Sequence, residues 1–483
     1  MNSRFLIRST VNAALVFLVL LQALAQTSPE SRFAQRVSQQ TLLRNVRSLV
    51  AIGNRYGGSP SGDSAASWVA GRFKSARLVP EITEDDELLT FRTRAWSLRV
   101  LEPRSLRKAT ANAWLGPYSP SSQRTRARVV HAQEGSWPDE AEIDSAIVLT
   151  PMAIDGRTYS RFARQGALAI LSYAPAMPGY YGDWAMIEHL PASSDNPIPL
   201  YSLSLNGGLA LAKALADSTV VSIEFSSSTE VFTGRPKTVT AEIEGESNRY
   251  ILVCAHGDAD SGGPGADDNA SGVSGVLEIA RVLNGMLRER ALPKPRYGIR
   301  FAVWGREYHS AFGYVRRHRE ELDSIVAVIN FDEIGAGQTR DCLYFESNDV
   351  RHNEELLRTL EKIGADYAGK RGYWKESTTN PSQGGTDSYV FLPDGLSQVD
   401  GPDVDIPSTT VFTAAWNEPR SMPQTEGWVS PAWKGHPDSV VIDYSAYYHS
   451  SLDVPKMTTE REPQNMVWAV RAVGFALLRL AWE

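Results

Sequence analysis

The chain of 483 residues has only two cysteines, Cys254 and Cys342. Two thiols make no disulfide scaffold, so the fold must rest on a packed core. With 42% apolar residues the chain can build one. Basic residues are not in excess: 49 Lys and Arg against 56 Asp and Glu give a formal charge of −7. That balance argues against a nucleic-acid partner, which requires a basic face. No G-x-S-x-G elbow occurs, which disfavours a serine hydrolase. No H-E-x-x-H zinc motif, internal repeat or low-complexity tract occurs either. After the N-terminus no apolar run is suited to crossing a bilayer. The run 465–483 carries Arg471 and Arg479 and reads as a packed helix.

The first 25 residues are expected to be a secretory signal. Arg4 and Arg8 precede the apolar stretch Val11–Ala25, and Ala23-Leu24-Ala25 is a small-x-small cleavage site before Gln26. The alternative is an uncleaved anchor, but Gln22 interrupts the run, which falls short of the roughly 20 residues a span needs. Cleavage after Ala25 leaves no stable membrane insertion and a mature chain secreted or periplasmic, with a charge of −9 (−7 − 2).

Helical spacing covers residues 35–50 and 65–76, joined by the Gly/Ser-rich loop Asn54–Ser64. From about Ser97 to Phe232 the texture changes to short strands with frequent turns and occasional helices. From Thr238 strands and helices alternate. Strands are expected at Tyr250–Ala255, Tyr297–Trp304, Ile325–Phe331 and Ser408–Phe412, and helices at Ser271–Leu287, Ser310–Glu321, Asn353–Gly364 and Gln464–Leu480. Such alternation predicts an α/β fold, a mainly parallel mixed sheet sandwiched by helices. Ligands then sit at the carboxyl ends of the strands.

Residues 251–272, ILVCAHGDADSGGPGADDNASG, are the most informative stretch. An apolar strand delivers His256, and Asp258, Asp267 and Asp268 follow in the Gly-rich loop before a helix. Glu307 stands just past the next strand, in FAVWGRE, and Asp332 ends the third, in VAVINFDE. His449 comes later, in YYHSSLD. Two histidines and two aspartates suit one zinc ion or a pair. A glutamate beside them can take a proton from a metal-held water and pass it to a leaving amine. Each residue alone is weak evidence; three successive strands delivering His, Glu and Asp to one edge is the signal. Loop aromatics in Pro175–His189 fit either a recognition loop or local packing, as do Trp374, Trp416, Trp428 and Trp433.

Five stretches resemble the zinc-dependent exopeptidase family of secreted bacterial leucyl aminopeptidases, plasma glutamate carboxypeptidase and prostate-specific membrane antigen. They are AHGD (255–258), GADDNASG (265–272), the strand and Glu at 301–307, NFDEIG (330–335) and YHSSLD (448–453). The resemblance implies a signal peptide (1–25), the first part of a peptidase domain (26–96), an inserted protease-associated-like α/β module (97–232) and the zinc peptidase domain (233–483). It implies His256, Asp268 and Asp332 as ligands of one metal, with Asp268 bridging to a second metal held also by His449. It implies Glu307 as the general base and Tyr448 as the oxyanion-stabilising tyrosine. Asp258 matches the carboxylate that orients the His ligand, and Asp387, in GGTDSYVF, matches a supporting position.

One departure stands out. The family carries two adjacent glutamates after the strand, base then ligand; here the pair is Glu307-Tyr308. A phenol is a poor zinc ligand at neutral pH because it must ionise. His309 is the next candidate, its alternative being a polar residue that opens a helix. Ser388 stands where the family has a histidine. The expected function is a metal-dependent exopeptidase, an aminopeptidase acting on peptides, with Zn2+ as one or two ions. Carboxypeptidase or other amidohydrolase action would need a cation such as Arg306 or Lys375 aimed at a free carboxylate. A non-catalytic binding protein on the same scaffold is the third reading.

Overall fold

The computed structural model describes residues 28–173, 182–336, 342–347, 353–381, 386–391, 404–413 and 447–483. The expected signal segment 1–25, Trp416, Trp428 and Trp433 lie outside them, as does the start of the aromatic loop through residue 181. Two sheets organise the chain. The larger has eight strands, in the order Glu81–Glu84, Lys237–Ile243, Gly298–Trp304, Tyr250–His256, Ile325–Phe331, Ser408–Phe412, Cys342–Ser347 and Glu376–Pro381. Its centre is parallel: Tyr250–His256 pairs in parallel with both Gly298–Trp304 and Ile325–Phe331, and the latter with Ser408–Phe412. Antiparallel pairs flank this core at Lys237–Ile243 and Cys342–Ser347.

Strands buried on both faces carry apolar side chains at every position, and Tyr250–His256 shows how both faces are used. Ile251, Val253 and Ala255 join the main core with the helices Gln39–Ile52, Gly272–Arg288 and Gln464–Trp482. Tyr250, Leu252 and Cys254 face the other way, against Trp304, Val328 and the helix His309–Arg317. Cys254 is therefore a small core residue, and both cysteines are buried. The C-terminal helix is packed as expected: Phe475 and Leu477 are buried, and the face at Gly474 meets the ring of Phe33. Among the described residues no helix is long and apolar enough to cross a membrane.

The second sheet has seven strands, in the order Leu88–Glu102, Ser222–Gly234, Ser122–His131, Ile147–Thr150, Ala169–Ser172, Leu200–Ser202 and Trp114–Leu115. Two of these are long, not short as the sequence texture suggested. Leu88–Glu102 runs 15 residues and pairs along its length with Ser222–Gly234. Its outer half reads as polar because only one face is covered: Arg92, Arg94 and Arg99 pair with Glu230 and Glu224 across the ribbon.

Candidate metal and active site

The three central parallel strands end side by side, so their last residues share one sheet edge. His256 closes its strand, Glu307 lies three residues past Trp304, and Asp332 directly follows Phe331. The loop after His256 returns across this edge. Gly265 makes that return: its φ is +62°, and a Cβ there would stand 2.4 Å from the Ala259 methyl and 2.6 Å from the Asp268 carbonyl. Asn269 ties the loop to the next strand by donating Nδ2–H to the Phe331 carbonyl at 2.8 Å and accepting from Gly272 N at 2.9 Å.

The result is a compact donor set. His256 Nε2 is 3.4 Å from Asp268 Oδ1 and 3.5 Å from Asp332 Oδ1, and ligand atoms of the three residues lie within 4.8 Å of one another. Two donors bound at zinc distances and tetrahedral angles stand about 3.3 Å apart, so these separations fit one ion. His449 Nε2 is 3.0 Å from Asp268 Oδ2, which puts Asp268 between the two imidazoles. Asp332 Oδ2 accepts from Thr386 Oγ1 at 2.7 Å, while its Oδ1 is buried with no hydrogen-bond partner. A buried carboxylate oxygen facing an imidazole nitrogen without a proper bond is what a site shaped for a cation leaves behind. All four expected ligands thus converge.

The supporting groups are equally specific. Asp258 is fully buried; its Oδ1 faces His256 Nδ1 at 3.3 Å and accepts Glu307 N at 3.1 Å, and its Oδ2 accepts from Arg306 at 2.7 Å. Burial opposes its charge, but Arg306 and then His256 outweigh it and hold the carboxyl below the usual range. Burial pulls the His256 imidazole down, yet Glu307, Asp332 and Asp258 together hold it well above its ordinary value. Glu307 is pushed well up, first by burial and then, against the pull of His256, by Asp260, Asp387 and Asp332. The Tyr448 ring stacks on that of His449 with centroids 3.8 Å apart.

The replaced ligand position has a clear environment. Tyr308 has φ +53° and starts the helix His309–Arg317, with its ring packed on the Trp304 and Phe391 cluster. Burial first, then Glu307, Asp387 and Asp332, raise its phenol far above its ordinary value. Asp387 accepts Tyr308 N at 2.8 Å and is raised to about 7, mainly by burial. His309 is not brought to the cluster as the ligand it was weighed to be. As the first residue of a helix it turns aside, and its Nε2 meets the Asp86 carbonyl at 2.9 Å. Arg306 is likewise no carboxylate clamp: it is already bound by Asp258 and Asp260 and lies over the Tyr56 ring at 4.4 Å. Lys375 is exposed.

Several functional groups escaped the sequence reading. Asp453, part of the YHSSLD match, accepts the backbone N–H of Asp267 at 2.8 Å and of Asp268 at 3.1 Å, and so fixes the backbone that presents the Asp268 carboxylate. Arg55, in the polar loop before residue 64, is fully buried and donates to the carbonyls of Gly257, Gly53, Pro264 and Gly265 at 2.8–3.1 Å. Burial lowers it to about 10 against the pull of Asp258, Asp453 and Asp268, so it stays charged at neutral pH. Glu333 has φ +45° and is 2% exposed, with Oε1 unpartnered. Burial, then Asp267 and Asp268, push its carboxyl well up. Asp453 and Glu333 lie inside matched stretches, but nothing local shows their contacts, and most of the partners of Asp453 and Arg55 lie some 200 residues away in the chain.

Comparison with known proteins agrees with this geometry. Residues 238–474 match Peptidase family M28. The chain is 28% identical over 205 residues, 41% of its length, to the "Probable lipoprotein aminopeptidase LpqL" of Mycobacterium tuberculosis, covering 38% of that protein. It spans less than half the length of the curated relatives it first matches. Its fold is that of the Peptidase M28 precursor from Shewanella amazonensis (TM-score 0.62, 17% identity, 93% of this chain and 95% of that one). It is also that of BSAP, a zinc aminopeptidase from Bacillus subtilis (TM-score 0.57, 18% identity, 92% and 96%). The stretch 238–474, which carries His256, Asp268, Glu307, Asp332 and His449, is thus where the likeness of this chain to Peptidase family M28 lies.

Proposed function

We propose that this protein is a zinc-dependent aminopeptidase. The observation that carries the reading is the convergence of His256, Asp268, Asp332 and His449, with Asp332 Oδ1 buried and unpartnered. His256, Asp268 and Asp332 would hold one zinc ion, and Asp268 with His449 would hold a second, weaker one because Tyr308 does not contribute. Bound zinc supplies Lewis acidity toward the scissile carbonyl and makes water more acidic. Glu307 takes the proton of the attacking water and returns it to the leaving amine nitrogen, the two transfers open to a carboxylate beside the reacting carbonyl. Tyr448 keeps its proton, because burial and then Glu333 and Asp268 raise its phenol, and it donates to the developing oxyanion. Asp258 holds the His256 ring through Nδ1.

Amino- rather than carboxypeptidase action is supported by the state of Arg306, whose guanidinium is already engaged by two carboxylates. On the same reading residues 97–232 are an inserted module similar to protease-associated domains, and the N-terminal apolar stretch directs the enzyme out of the cytoplasm, where it acts on peptides. The test is Glu307→Gln, assayed on a panel of aminoacyl-anilides beside metal quantification. Metal content should be retained and turnover should fall by about 10²–10⁴. Unchanged turnover removes Glu307 from the mechanism, and a wild-type protein without zinc or activity removes the proposal.

A further inference from the structure

The second-sheet region reaches the site directly. Residues 185–187 run antiparallel to the turn that carries His449: Ile187 N donates to the His449 carbonyl at 2.8 Å, Ser451 N donates to the Ala185 carbonyl at 3.0 Å, and Met186 lies opposite Ser450. Ala185 also lies opposite Ser204, just past the strand Leu200–Ser202. The segment is therefore a strap, paired on one side with the second sheet and on the other with the His449 turn. Further bonds anchor it to the second-sheet region. Glu188 N donates to Ser202 Oγ at 2.9 Å, Asn206 N to the Gly182 carbonyl at 2.8 Å, and Asn206 Nδ2 to Asp183 Oδ1 at 2.9 Å. Asn112 joins strap and turn: its Nδ2 donates to the Asp183 carbonyl at 2.6 Å, and its carbonyl accepts from Ser451 Oγ at 3.1 Å. The rings of Trp184 and Tyr447 lie 4.8 Å apart.

The strap also packs on the metal-ligand loop. A Cβ on Gly263 would stand 2.7 Å from Ile187 Cδ1 and 3.3 Å from the Ser450 carbonyl, so only glycine lets the three segments approach this closely. The two ends of the turn are thus held from different sides. Asp453 is tied to the ligand loop through the amides of Asp267 and Asp268, whereas His449 and Ser451 are tied to the strap. His449 has φ +48°, a backbone conformation that a non-glycine residue keeps only when its surroundings impose it. So held, its Nε2 stands 3.0 Å from Asp268 Oδ2. The other ligand set is built differently. His256 and Asp332 come from central strands of the larger sheet, and Asp268 from the loop that follows His256.

We propose that the strap 184–187 positions His449, so that the second-sheet region completes the second metal site while the larger sheet and its loop build the first. This rests on the peptidase reading above and gives the second-sheet region a part in assembling the site. Ile187 and Ser451 are positioning residues, acting through His449. Groups that hold a metal ligand in place are worth about 10–100-fold in metal affinity.

The test reads metal binding and needs no turnover. Zinc is titrated calorimetrically into chelator-treated full-length protein, with circular dichroism as a check on folding. Four proteins are compared: wild type; Ile187→Pro, which removes the N–H given to His449; Ile187→Val, which keeps it; and Ser451→Ala, which removes the bond to Asn112. Wild type and Ile187→Val should bind two ions, one more weakly. In Ile187→Pro the weaker ion should lose about 10–100-fold in affinity while the tighter ion binds as in wild type. Ser451→Ala, which loses a single hydrogen bond, should weaken the same ion by about 2–10-fold. If Ile187→Pro does not fold, Ser451→Ala decides. Several results overturn the positioning role and leave the first metal set standing: a wild type that binds one ion only, an equal loss of both ions, a weaker ion that binds unchanged, or Ile187→Val behaving as Ile187→Pro does. A wild type that binds no zinc overturns the peptidase reading together with this proposal.

Discussion

Arg55 is the most exacting place to perturb this protein, because one buried side chain joins the N-terminal helices to the metal-ligand loop. Its guanidinium makes four contacts of 2.8–3.1 Å, to the carbonyls of Gly53, Gly257, Pro264 and Gly265. Arg55→Met keeps much of the volume and removes every donor. A bond to a charged group is worth about 1.5–3 kcal/mol, and each carbonyl left bare and buried costs about 1–3 kcal/mol. The effects of neighbouring groups do not add in full, so the expected loss is about 4–8 kcal/mol, most of the stability of an ordinary domain. Arg55 is also the nearby cation for Asp258, Asp268 and Asp453. Its removal should therefore weaken metal binding as well as folding. The assay is urea-induced unfolding followed by tryptophan fluorescence, with metal titration of whatever remains folded. Arg55→Lys keeps the charge but spans fewer carbonyls, and should fall between wild type and Arg55→Met. An Arg55→Met protein within about 1 kcal/mol of wild type, binding metal normally, would refute the reasoning, because it would mean that water or a neighbour satisfies those carbonyls.

Two further outcomes follow from the site. Tyr308→Glu restores a carboxylate at the position where the resembling family has a ligand; metal stoichiometry by elemental analysis should rise toward two per chain, while stability falls because the Trp304 and Phe391 cluster loses an aromatic partner. Unchanged stoichiometry would show that the deficit is not at residue 308. Chelation of the bound ion should lower the melting temperature, since an ion at 1,000 times its dissociation constant stabilises the folded state by about 4 kcal/mol; a melting curve indifferent to chelator and to added zinc would argue against the His256, Asp268 and Asp332 set as a metal site.

How much of this was legible depends on the length scale of each signal. Ile325–Phe331 forms over the residues that its apolar run marks, as a strand buried on both faces does, and Ser408–Phe412 forms where its β-branched residues point even though Ser408, Thr409 and Thr410 are polar and buried. Leu88–Glu102 was hidden for the opposite reason: one face is covered, so arginines and threonines alternate with its apolar residues, and its pairing with Ser222–Gly234 spans more than a hundred residues. The strands Cys342–Ser347 and Glu376–Pro381 lie outside the expected elements, the second because its sequence, ESTTNP, offers no alternation of apolar residues. His256 and Asp332 could be read as site residues from their places at strand ends. Arg306 could not, because a lone arginine beside a catalytic position looks like an anion clamp until the two carboxylates beside it are seen.

The sequence by itself determined which donors reach the sheet edge. Parallel neighbours point the same way, so residues ending consecutive strands must meet there, and that topology follows from the alternation of strands and helices. Only the tertiary structure decided how those donors are held and what faces them. Asp453 orients Asp268 across 185 residues of chain, Arg55 grips the loop after His256 across 202, and Ile187, from the loop between two strands of the second sheet, bonds the His449 carbonyl. These contacts depend on long-range packing and buried charge balance, which leave no periodicity for a local reading to find.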